Sequence, residues 1–148
     1  MIYSKNLIDN VLTYLTAELE PMLVQIESQY SITVDRLKYF ETVNKETNQY
    51  PFGMLYEDET VFDNDTLTRE ISRFNFSVDF ADSRLNLTQV RNNLYAYRDA
   101  IVEIINNDPT LGNNCVQAYL TRVQPALIMK ESANYNGVIQ CQFVLEEN

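Results

Sequence analysis

Between residues 73 and 80 polar and apolar residues alternate without a break. Phe74, Phe76, Val78 and Phe80 take every second position, and Arg73, Asn75, Ser77 and Asp79 fill the gaps. Side chains along a strand point alternately to its two faces, so this stretch predicts a strand with one apolar and one polar side. Three phenylalanines on one side need a large apolar cover. The polar side predicts a single-layered sheet with helices on one face only.

A helical period runs through residues 6–26, where Leu7, Ile8, Val11, Leu12, Leu15, Leu19, Met22, Leu23 and Ile26 recur at three- and four-residue spacing. Asn6 is read as its N-cap, with Asp9 placed for the positive end of the helix dipole. Pro21 is expected to kink this helix or end its regular part near Glu20. Residues 30–48 mix both periods, and a short strand or extended piece is expected at 37–43. Phe52, Met54 and Tyr56 share one face of a strand that Pro51 opens. An acidic connection follows, with Glu57, Asp58, Glu59, Asp63, Asp65 and Glu70 against Arg69.

The second helix starts near Leu87, with Thr88 as N-cap and Leu87 as a hydrophobic staple. Val90, Leu94, Tyr97, Ile101, Ile104 and Ile105 form its stripe, and Asn106-Asn107-Asp108-Pro109 stops it. Two closing strands are expected. One covers 115–124 and resumes after Pro125; the other covers 137–146, with Ile139, Cys141, Phe143 and Leu145 on one face and Gln140 and Gln142 on the other. The expectation is one α+β domain over residues 1–148, in the order α-β-β-α-β-β. It is an antiparallel sheet of about four strands with two helices packed on one face.

A formal charge of −10 and a pI near 4.3 argue against binding by phosphate neutralisation and against anionic membrane surfaces. No run approaches the roughly 20 apolar residues of a membrane span. Asp9 and Asn10 interrupt any signal-peptide core, so the reading is a soluble, cytosolic chain. In such a chain the sequons at Asn64 and Asn86 carry no meaning. Cys115 and Cys141 read as two reduced, half-buried thiols rather than a disulfide framework.

Candidate chemistry is sparse. The chain has no histidine, which removes His-based acid–base catalysis, the usual triads and most zinc sites. There is no glycine-rich phosphate loop and no CxxC pair, and no base lies near Cys115. Asp63-Asn64-Asp65 resembles the opening of a calcium loop, but Leu67 and Thr68 occupy the fifth and sixth positions, so a solvated acidic loop is the competing reading. The expectation is a protein that is not an enzyme, with no catalytic or metal residues and no cofactor.

Several pieces together resemble a known family. They are the helix–strand–strand–helix–strand–strand order, Tyr50-Pro51 opening a strand, the clean strand at 74–80, the second helix ending in Asn107-Asp108-Pro109-Thr110-Leu111-Gly112 before a strand, and the closing strand at 137–145. This layout is similar to that of tail-terminator and head–tail completion (neck) proteins of tailed bacteriophages. Residues 30–48 depart from it. The resemblance implies a structural virion protein of the tail or neck, assembled in the host cytoplasm. Such proteins form rings, usually hexamers, that cap the tail tube, halt its polymerisation and present a docking surface to the head. The implied partners are copies of itself, the tube protein and neck or head-completion proteins; DNA only passes through the lumen, and no membrane is involved.

On this reading Glu57, Asp58, Glu59, Asp63 and Asp65 are candidates for a ring interface or lumen loop. Arg73, Asn75, Ser77 and Asp79 are candidates on the uncovered strand face. Acidic walls would let DNA pass without sticking; equally, the charge would serve solubility alone. A second class of function fits the same composition: an acidic, non-enzymatic binding module or inhibitor that captures a basic partner, with steep salt dependence.

Overall fold

The computed structural model describes residues 3–43, 45, 49–65 and 69–147, with residues 59–65 and 69–71 described by backbone alone. The chain runs α1 (Ser4–Tyr30), β1 (Tyr39–Glu41), β2 (Phe52–Asp65), β3 (Arg69–Arg84), α2 (Leu87–Asn107), β4 (Gln117–Val123), β5 (Leu127–Glu131) and β6 (Asn134–Glu147). The expected four-stranded antiparallel sheet in the order α-β-β-α-β-β is therefore corrected. The sheet is mixed and six-stranded, ordered β1-β2-β3-β6-β4 with β5 also on β6, and the element order is α-β-β-β-α-β-β-β.

Two features account for the difference. β1 is only three residues long, too short to display a period, and it pairs parallel with β2 from Tyr39↔Phe52 to Glu41↔Met54. Gln124-Pro125-Ala126 divides what reads as one closing strand, since proline has no N–H for a ladder. β4 therefore pairs with the upper half of β6 and β5 with the lower half.

β3 is the central strand. It pairs antiparallel with β2 on one side and with β6 on the other. Phe74, Phe76, Val78 and Phe80 are buried, opposite Leu145, Phe143, Cys141 and Ile139 of β6. The apolar stripes of α1 (Leu7, Val11, Leu15, Leu19, Leu23) and α2 join them in one hydrophobic cluster, as one-sided helical cover requires. Gly137 lies where α2 crosses β6: a Cβ there would stand 2.6 Å from Leu94 Cδ1 and 3.1 Å from Val90 Cγ1.

Helix ends differ from the sequence reading. α1 begins at Ser4 with Tyr3 as N-cap, so Asn6 lies inside the helix. Pro21 also lies inside it, and the helix continues to Tyr30, because burial of Leu19 and Leu23 on either side outweighs the loss of one backbone bond. Asn86, not Thr88, caps α2, its side-chain oxygen accepting from Gln89 N at 3.2 Å. Beyond α2, the Asp108 carboxylate accepts from Thr110 N and Oγ1, Gly112 N and the Tyr14 hydroxyl, at 3.2, 2.7, 2.8 and 2.9 Å. These bonds, that of Thr110 foremost, lower its pKa to about 2.

The segment after α1 is fixed by polar contacts rather than by periodicity. The Arg36 guanidinium donates to Glu20 and Glu27, each at 2.7 Å, and Val34 N donates to Glu27 at 2.9 Å. Arg36, and after it the Val34 N–H, hold the Glu27 carboxyl below its ordinary pKa. Beneath this segment Asn93 is fully buried and donates to Asp82 at 2.8 Å and Asp35 at 3.0 Å. Arg84 completes the charge balance with contacts to Asp82 at 3.0 Å and Asp35 at 3.2 Å.

Candidate interaction surface

With both helices on one side, the other side of the sheet is uncovered. The β3 row Arg73, Asn75, Ser77 and Asp79 lies there, together as the alternation predicts, in register with Glu146, Val144, Gln142 and Gln140 of β6. It is not a row of free polar groups. Tyr56 Oη donates to Asp79 Oδ2 at 3.0 Å, while Gln140 Nε2 donates to Asp79 Oδ1 at 2.7 Å and to Tyr56 Oη at 3.0 Å. The Ser77 hydroxyl donates to Asp58 and accepts from Gln142 at 3.3 Å, and Ser77 is buried. Arg73 Nε pairs with Glu146 Oε1 at 3.3 Å, and Tyr119 Oη donates to the same oxygen at 3.3 Å. Burial and the Asp79 bond raise the Tyr56 phenol above its ordinary pKa.

The acidic stretch is not a connecting loop, as the sequence suggested. It is the second half of β2, paired with β3 from Glu57↔Phe76 to Asp65↔Arg69 with a bulge between Glu57 and Glu59. Asp58 sits at that bulge and turns to Ser77. Glu59, Asp63 and Asp65 are placed by register alone, opposite Asn75, Ile71 and Arg69. The calcium-loop reading of Asp63-Asn64-Asp65 is displaced, because all three lie in ladder positions. Residues 66–68, including Leu67 and Thr68, lie outside the described residues.

Sequence reasoning missed the other half of this surface. At the end of the sheet near β1 the uncovered face turns mostly apolar, with a cavity of about 320 Å³ whose lining includes Phe52, Met54, Ala81, Pro125, Leu127 and Val138 beside the polar Asp79, Gln124 and Gln140. Leu127, Met129 and Val138 are 63%, 67% and 51% exposed, well above core values. The signal was present: Leu127 and Met129 alternate with Ile128, and Val138 falls between the positions of the Ile139 stripe.

Among the described residues no group of three or more His, Cys, Asp or Glu could hold a metal ion. Cys115 and Cys141 are buried, and burial pushes each thiol up to about 12, leaving both protonated and poorly nucleophilic at neutral pH. Among the described residues no helix is long and apolar enough to cross a membrane. A scan against protein-family models and a search of curated proteins found no match to this chain.

Proposed function

We propose that this chain is a non-enzymatic assembly subunit, and specifically the ring-forming tail terminator, or an adjacent neck protein, of a tailed bacteriophage. The observation that carries the coarser reading is the uncovered sheet face. One end has its polar groups tied to one another, and the other end exposes Leu127, Met129 and Val138 to water. Side chains locked in mutual hydrogen bonds are poor acids and bases but make a rigid surface for docking. Exposed apolar residues grouped beside them are what a partner covers. The phage assignment rests on the resemblance of the segments at 50–51, 74–80, 107–112 and 137–145, and not on the α-β-β-α-β-β order, which the six-stranded sheet replaces. A strongly acidic ring subunit suits a channel through which DNA passes unbound.

The test is direct. Purified chain is followed by light scattering across a wide concentration range and imaged by negative stain, alone and with tail tubes. Rings, or a reversible oligomer that caps tube ends, are expected. A monomer at every concentration that ignores tube ends overturns the proposal, and salt-sensitive capture of a basic protein by that monomer would install the binding-module reading instead.

A further inference from the structure

Only 11 of the 148 residues are Lys or Arg, so where two of them line one cavity is informative. A cavity of about 440 Å³ lies on the helical side of the sheet, lined by Leu87, Arg91, Tyr95, Ile128, Lys130 and Tyr135. No carboxylate lines it. The carboxylates nearest along α2, Asp99 and Glu103, lie with Arg91 on a neighbouring groove, and Asp99 is paired with Arg98 at 2.9 Å. Arg91 has no ion-pair partner among the described residues, and Lys130 stands over the Tyr135 ring at 5.6 Å. Glu131 falls on the other face of β5, where its carboxylate accepts from Asn136 at 2.8 Å. Leu87 is also the first residue of α2, so the positive end of that helix dipole adds to the field. On a chain of net charge −10 this is a positive, aromatic-walled pocket.

The same chain carries its complement. Residues 57–70, the outer part of the β2–β3 hairpin, hold six carboxylates (Glu57, Asp58, Glu59, Asp63, Asp65, Glu70) and one arginine (Arg69). That hairpin continues to Asp65↔Arg69, past the last β3–β6 pair at Ser72↔Glu147, so its end projects beyond the rest of the sheet. It cannot reach the pocket of its own chain. β3 pairs with Asp65 at Arg69 and with Tyr135, on the pocket wall, at Arg84. Those two ends of one strand are about 50 Å apart at roughly 3.3 Å per residue.

We infer that the Arg91–Lys130 pocket receives the acidic β2–β3 hairpin of a second copy of this chain. Donor and acceptor lie at opposite ends of the sheet, so the contact is head-to-tail. Repetition of such a contact closes a ring or runs on as a filament. The inference rests on the ring reading above and names the groups that would join its subunits. Arg91 and Lys130 are exposed, so association should weaken as salt rises.

A charge swap tests it. Chains carrying Arg91→Glu with Lys130→Glu, and separate chains carrying Asp63→Lys with Asp65→Lys, are followed by light scattering beside the wild type, with thermal melting as the control for folding. Each variant alone is expected to stay monomeric where the wild type assembles. An equimolar mixture is expected to assemble, because at every junction of an alternating ring the hairpin end at positions 63 and 65 then meets a pocket of opposite charge. If the wild type assembles and the pocket variant assembles equally well, or if the mixture fails to recover assembly, this contact is wrong while the ring reading stands. A wild type that never assembles overturns both.

Discussion

Asp108 shows how one side chain can set a local structure. Its carboxylate gathers the turn after α2 and, through Tyr14, ties that turn to α1. Its folded pKa of about 2 lies below the ordinary value near 3.9. A depressed carboxyl stabilises the fold above its unfolded pKa and loses that contribution as pH falls from about 4 toward about 2. Melting temperature should therefore drop more steeply in that window for the wild type than for Asp108→Asn; parallel curves would remove the role. Asn93 offers a second test, because Asn93→Leu strips a buried Asp82 of its 2.8 Å donor. We expect a loss of about 2–4 kcal/mol in urea unfolding, and a change within error would show the network to be dispensable. The sequence marked Asn107-Asp108-Pro109 as a helix stop, which composition alone makes readable. The bond to Tyr14, 94 positions away in the chain, has no local signature.

At the scale of elements, long periodic segments were legible, and a short strand or extended piece was expected where β1 lies. The parallel pairing of β1 and the separation of β5 from β4 were not legible. α1, α2, β3 and β6 each carry enough repeats for their faces to be assigned from spacing, and the centres of the expected stripes are buried. Ile8, Leu12, Met22 and Ile26 at the edges of the α1 stripe are only partly so, and the buried Asn93 and Val144 were not expected. β1 has three residues and is held by Lys38 N donating to Pro51 O at 2.7 Å and by its parallel partner, neither of which leaves a pattern. The caps fell a few residues from expectation because several neighbours, Asn86 and Thr88 among them, have suitable side chains, and the path of the backbone decides which one serves. Of the candidate surface, the polar row on β3 was readable; its apolar neighbour was not, because β5 had to be separated from β4 before Leu127 could be placed on a face. Where α2 crosses β6, Gly137→Ala should push Leu94 aside and cost about 1–3 kcal/mol by overpacking. Chemical denaturation measures this, and an unchanged midpoint would mean that the helix tolerates displacement.

For the whole molecule, surface and core respond differently to change. Leu127→Asp combined with Met129→Asp alters side chains that are mostly in water, so stability should stay within about 0.5 kcal/mol of the wild type. Assembly or tube capping should nevertheless fall, as light scattering and negative stain would register. Preserved assembly would move the docking surface away from this face. The position of β6 has a further consequence, for the order of events in folding. This strand follows every other element in the chain, yet lies inside the sheet, with β3 on one side and β4 and β5 on the other. Its pairing with β3 joins Ser72 to Glu147, so the central ladder closes over a long stretch of sequence. Non-local pairing of this kind folds slowly. A chain stopped before Asn134 should remain unfolded rather than settle into a smaller sheet, leaving the β3 phenylalanines as a surface that invites aggregation until β6 arrives.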